Sequence, residues 1–174
     1  IIVAKHPRLE GYLFKIFLDT YDICDHYWWR KRVENSRTIQ AAIDDYGYDD
    51  IMKTPKKWIY PLPAEPAAEE GTFPKHFILV VEEMDILGRS DNRSAYRTMM
   101  TEDRLDALYR LLTELKLLDS VYADNTPFCK DGRLAFIDTE HSMDTTQPIP
   151  LSAVGQYLNP ELLAYWEQLI VNGL

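Results

Sequence analysis

Apolar and polar residues change period several times along this chain, and each change marks an element. Residues 1–5 and 12–18 are β-rich runs separated by a segment containing Pro7 and Gly11, which predicts a hairpin. Residues 21–46 contain no Pro or Gly, and Ile23, Tyr27, Val33, Ile39, Ala42 and Ile43 recur at helical spacing, with Gly47 placed to end the helix. Tyr27, Trp28 and Trp29 read as packing of that helix against a sheet. A strand is predicted at 58–62, then an exposed excursion over 63–71, then a continuous apolar run at 76–81 of the kind found in a central strand buried on both faces. An acidic connector, 82–88, follows it, and residues 90–97 read as a mobile polar connection. From Thr101 an amphipathic helix begins, with Thr101 as cap, Glu102 and Asp103 in the first turn, and Leu105, Leu108, Leu112 and Leu115 forming the inward stripe. A last helix starts at Asn159-Pro160 and stops at Asn172-Gly173.

Between these two helices lies a more pointed signal. A polar loop with Asp124 and Asn125 leads into a short strand, an Asp131-Gly132 turn, and an alternating strand over 133–137 that ends on Asp138. Such a hairpin brings the Asn125 amide and the Asp138 carboxylate to one mouth, the pairing that a divalent metal bound to phosphate requires. The element order is strand, strand, helix, strand, strand, helix, hairpin, helix. That order predicts an α+β fold with a mainly antiparallel N-terminal sheet.

Composition narrows the classes. The chain has 174 residues, 46% of them hydrophobic and 27% charged, which fits one domain or two small lobes and excludes disorder. A net charge of -9 argues against broad nucleic-acid binding, which needs clustered Lys and Arg. Cys24 and Cys129 are too few for a disulfide framework and read as free thiols of a reducing, cytosolic compartment. No apolar run approaches a membrane span, and the first residues lack signal-peptide order, so the chain reads as a piece of something longer. His6, His26 and His76 are scattered without ligand spacing.

Four features stand in a telling order: Lys15 on the second strand, Glu34 in the helix after it, an acidic connector after a buried strand, and the Asn125-to-Asp138 hairpin. Their order resembles the protein-kinase-like superfamily, in its atypical or minimal members and in the small-molecule kinases related to aminoglycoside phosphotransferases. The resemblance is one of motif spacing. It implies a small antiparallel N-lobe with one helix (1–84) and a reduced, mostly helical C-lobe (85–174), with the first strand and Gly-rich loop upstream of residue 1. Lys15 would hold the nucleotide phosphates, and Glu34, 19 positions on, would pair with it. Val81, Glu82 and Met84 would line the hinge that holds adenine, Val81 at the gatekeeper position. Asn125 and Asp138, 13 apart, would hold Mg²⁺ or Mn²⁺ against ATP.

Two positions depart from the family pattern. Thr139-Glu140 stands where Phe-Gly would follow the metal-binding Asp, and Ser120 stands five residues before Asn125, where the catalytic base belongs. Asp119, one residue earlier, is the candidate base, with Asp124 a second. The implied activity is transfer of the γ-phosphate of ATP to a hydroxyl, on a protein or a small molecule, in an effector-like or small-molecule kinase. The alternative is a pseudokinase, a nucleotide-binding or scaffold module without catalysis. A third reading groups Asp138, Glu140 and His141 as a metal-hydrolase cluster.

Overall fold

In the computed structural model, residues 1–63, 70–140 and 146–174 are described. Most of the expected excursion over 63–71, and His141, lie outside them. The fold is α+β, with a four-stranded antiparallel sheet in the order β1-β2-β5-β4. Strands β1 (Ile2–His6) and β2 (Leu9–Ile16) form the predicted hairpin, with a tighter turn than the sequence indicated, because His6 already pairs with Leu9. Strand β5 (Phe77–Glu82) is inserted between β2 and β4 (Lys57–Pro61), so its apolar run is flanked on both edges.

Helix α1 (Asp25–Asp45) covers one face of this sheet. Its start is fixed by Asp25, whose buried carboxylate accepts from the backbone N–H groups of His76 at 2.7 Å and Phe77 at 2.9 Å, binding the helix to the beginning of β5. Trp29 and Val33 then pack on Phe17, Leu79 and Val81 as one core, with the Trp29 ring stacked 4.2 Å from Phe17. Two turns on, the same helix contributes Ile39 and Ile43 to a second, larger core. Gly47, with φ of 70°, follows the helix as expected of a residue that must turn left-handed there. The other face of the sheet leaves Tyr12, Trp58 and Tyr60 exposed.

The second core is built by α2 (Arg89–Thr98), α3 (Glu102–Glu114), the short α4 (Ser152–Gly155) and α5 (Pro160–Asn172). The caps anticipated for α3 and α5 are formed: Thr101 Oγ1 accepts from Arg104 N–H, and Asn159 Oδ1 accepts from Leu162 N–H. Residues 90–97, expected to be a mobile connection, are helical instead. Ala95 and Tyr96 enter the core, and Asn92 replaces missing apolar contacts by donating to Ala123 O and accepting from Phe128 N–H, both at 2.8 Å.

The anticipated hairpin before Asp138 is short. Phe128 bridges Leu134, and Gly132 turns with φ of 84°, but the regular strand is only β6 (Leu134–Ala135). That strand runs parallel to β3 (Met52–Lys53), a partner the sequence pattern did not disclose. Cys24 and Cys129 are both free thiols. Among the described residues no helix is long and apolar enough to cross a membrane.

Candidate functional site

The alternation of the sheet decides which side chains meet α1. Leu13, Val81 and Lys57 stand in one cross-strand row, and Lys15, Leu79 and Ile59 in the next. Leu79 and Val81 face the core under α1, so Lys15 and Lys57 are directed to that side as well. The two lysines therefore share one side of the sheet, near enough for the Lys15 charge to act on Lys57 and for Asp138 and Glu140 to act on Lys15.

Lys57 is the more constrained of the two. It is only 5% exposed, and its Nζ donates to Ile137 O at 3.1 Å and Thr139 Oγ1 at 2.7 Å. Burial, with the nearby Lys15 charge next in importance, pulls its pKa down to about 7, against a smaller opposing pull from Asp138. Lys15 is half-buried and has no hydrogen-bond or ion-pair partner among the described residues. Burial and then the Arg32 charge lower its pKa, while Asp138 and Glu140 act the other way.

The carboxylates come from the far side of the hairpin. Ile137 N–H donates to Asn125 O at 3.0 Å, which sets the approach to Asp138 beside the Asn125 loop. The Asn125 side-chain amide donates to Asp119 O at 2.9 Å, so its Oδ1 is left without a partner among the described residues. Asp138 Oδ1 is buried and makes no hydrogen bond, with Arg32 4.0 Å away. An open amide oxygen and an orphaned carboxylate oxygen on adjoining backbone are hard donors suited to Mg²⁺ or Mn²⁺. Mg²⁺ commonly takes only one or two carboxylates and completes its shell with water and phosphate. Among the described residues there is no group of three or more His, Cys, Asp or Glu arranged to hold a metal, so a cation here would need that outside completion.

The structure does not bring Glu34 to Lys15. Glu34 lies on the outer face of α1, exposed and 3.6 Å from Arg30 one turn earlier. Helical phase is the reason: Trp29, Arg32, Val33, Ser36 and Ile39 occupy the inward face, which turns position 34 to solvent. Arg32 takes the inward place. It is buried, lies over the Trp29 ring, and forms an ion pair with Glu140. Asp138 and Glu140 do converge, as the metal-hydrolase reading requires, but they converge on a guanidinium.

Thr139 also has a definite role. It is 1% exposed, accepts from Lys57, and donates to Arg32 O at 2.8 Å, while Asn35 Nδ2 donates to Thr139 O at 2.8 Å. Thr139 thus locks the segment to α1 and β4 by polar contacts.

Around Asn125 the chain forms a 3₁₀ turn over Asp119–Val121. Ser120 is turned inward at 3% exposure and its carbonyl accepts from Thr126 Oγ1, whereas Asp119 is half-buried. Asp124 is exposed and pairs with Arg89 at 2.7 Å. At the expected hinge, Val81 is buried in the sheet core and Glu82 N–H is consumed by Lys56 O at 2.8 Å. Of the three residues expected there, Met84 has an amide N–H with no acceptor among the described residues.

Arg32, Asn35 and Lys57 were not among the residues singled out from sequence, and Thr139 was noted only as a departure from the resembled motif. The one available signal was Lys57 at the start of an apolar strand, in phase with the inward Ile59. No protein-family model matches this chain, and no curated protein matches it either.

Proposed function

We propose that this chain is a kinase-like phosphotransferase unit that binds ATP with Mg²⁺ or Mn²⁺ between the sheet, α1 and the Asn125-to-Asp138 segment. The observation that carries this reading is that an unpaired, half-buried ammonium on Lys15 feels the charge of Asp138, whose Oδ1 makes no hydrogen bond and whose segment is joined to the Asn125 loop by the bond from Ile137 N–H to Asn125 O. A small antiparallel sheet with one helix, followed by helices, is the architecture that the resemblance implies, and it supports the same reading.

In this reading Lys15 holds phosphate oxygens, and Asp138 and Asn125 hold the ion. The bound ion would offset charge on the β- and γ-phosphates. Met84 offers the amide N–H for an adenine ring nitrogen, and Val81 closes the back of that space. Arg32 takes no part in phosphate binding while Glu140 occupies it, and instead orients the Asp138 segment. Asp119 orients the acceptor hydroxyl and takes its proton.

Thermal denaturation with ATP and Mg²⁺ tests the binding step. A ligand at about 100 times its Kd adds ~2.7 kcal/mol to the native state. For a chain of this size that is a rise in Tm of roughly 5–10 °C. Asp138→Asn and Lys15→Ala should each abolish the ATP-dependent rise, whatever they do to the Tm without ligand. An equal rise in wild type and Asp138→Asn would show that the metal pair is misassigned. Transfer of labelled γ-phosphate, lost in Asp119→Asn, tests the chemistry. The inward Ser120 at the base position favours a second reading, in which nucleotide binds without transfer. ATP-dependent stabilisation with no turnover on any hydroxyl acceptor would select it.

A further inference from the structure

Helix α2 carries a cationic ladder that the nucleotide site does not use. Arg89, Arg93 and Arg97 recur every fourth residue and all are exposed. At about 100° per residue they fan over only ~80° of the helix surface and span ~12 Å along its axis. Asn92, Ala95 and Tyr96 occupy the buried side, and Asp91 is turned away from Arg93. A groove of about 580 Å³ runs along the ladder, lined by the three arginines with Ser90 and Ser94. A second, smaller hollow of about 190 Å³ shares Arg93 and Arg97 and is lined also by Gln156 and Tyr157.

Such a surface stands out in a chain of net charge -9, where several other cations are matched by neighbouring acids. Lys53, Arg110, Lys130 and Arg133 each have a carboxylate within hydrogen-bond distance. Arg93 and Arg97 have none among the described residues. The first rung shows what the ladder accepts: Arg89 holds the Asp124 carboxylate at 2.7 Å. Asp124 adjoins Asn125, so the ladder begins at the edge of the candidate metal loop.

We propose that α2 is the docking site for an acidic peptide, bound extended with Asp or Glu at alternate positions. Successive rungs rise ~6 Å apart along the helix. Alternate side chains of an extended peptide recur at about 6.6–6.8 Å, so two carboxylates meet Arg93 and Arg97 in register. Guanidinium groups favour bidentate contact with carboxylates, and the serines beside them offer hydroxyls to the peptide backbone. A polynucleotide fits less well, because the acidic remainder of the chain repels a long polyanion and the groove presents no run of aromatic rings for stacking bases. That the docked peptide presents its own hydroxyl to Asp119 rests on the phosphotransfer reading; the docking itself does not.

Fluorescence anisotropy with a labelled nonapeptide of alternating Glu and Ala, titrated with the full chain in the absence of nucleotide, tests the proposal. Wild type should bind, weakening at least tenfold between 50 and 200 mM salt, and the double variant R93E/R97E should bind at least tenfold more weakly than wild type. R93K/R97K should retain part of the affinity at low salt, and a peptide with the same residues but its glutamates contiguous should bind less tightly. Undiminished binding by R93E/R97E, with its melting curve intact, would overturn the assignment. A single-stranded oligonucleotide of equal charge binding as tightly as the peptide would overturn it in favour of a polynucleotide surface. Because no nucleotide is present, failure here leaves the ATP reading standing, and failure of the ATP titration leaves this one standing.

Discussion

Replacing Thr139 by Val removes a hydroxyl that is buried between two partners while keeping the side-chain volume. The variant loses the contact from Lys57 Nζ at 2.7 Å and the contact to Arg32 O at 2.8 Å. A hydrogen bond to a charged group contributes about 1.5–3 kcal/mol and a neutral one about 1 kcal/mol, so T139V should cost ~2–4 kcal/mol when Lys57 is protonated. Lys57→Met in the same background removes the stranded ammonium, and the double variant should therefore be more stable than the sum of the single losses by about 2 kcal/mol. Protonation gives the pair a pH signature. The folded-state pKa of Lys57 is lowered to about 7 from 10.5, so the unfolded chain binds more protons between those values. Stability then rises with pH across that window, by at most ~1.4 kcal/mol per pH unit, and K57M should lose that slope. Coupling between Lys57 and Thr139 should be about 2 kcal/mol at pH 6 and fall to ~1 kcal/mol near pH 8.5, where the amine is neutral. Urea denaturation of the four proteins at both pH values measures it. Coupling indistinguishable from zero, or unchanged between the two pH values, would refute the argument that Lys57 is the buried donor locking Thr139.

Glu34→Gln should alter stability by no more than about 0.5 kcal/mol, because it changes only a solvated pair with Arg30, and the ATP-dependent rise in Tm should persist. Arg32→Gln, by contrast, frees Glu140 in a half-buried place and should cost ~3 kcal/mol or more in urea denaturation. Asn92→Ala removes one buried donor and one buried acceptor at once, leaving Ala123 O and Phe128 N–H unsatisfied, and should lower stability by about 2–3 kcal/mol in the same assay.

Elements whose ends are specified by local chemistry were legible in the sequence. Thr101 and Asn159 act as caps through bonds to residues three positions away, and Gly47 and Gly173 turn left-handed where the helices stop. The adjoining placement of Asn125 and Asp138 was legible for a similar reason, since a short turn at Gly132 leaves little freedom between them. Helix α2 was obscured because its anchor is polar: Asn92 does there what an apolar side chain does elsewhere. Glu34 reads as the partner of Lys15 because spacing along the chain does not disclose helical phase. That phase is set by where Trp29 and Val33 find Phe17 and Leu79, which are contacts across the fold. Lys57 looks unremarkable alone, and Thr139 looks like no more than a departure from a motif; both acquire their role because residues 82 positions apart meet.

Helix α1 belongs to both cores, with Trp29 and Val33 in one and Ile39 and Ile43 in the other. Among the described residues, a cut between residues 84 and 85 would accordingly take part of the second core away from the chain that follows. A fragment beginning at residue 85 would carry α2, α3 and α5 but would lack Ile39, Ile43 and Met52, leaving a vacancy in its interior. The missing half-helix would have to come from a second molecule. A peptide running from the second half of α1 through β3 is thus the minimal complement able to restore such a fragment, and the helix serves as the common axle on which both halves of the protein are mounted.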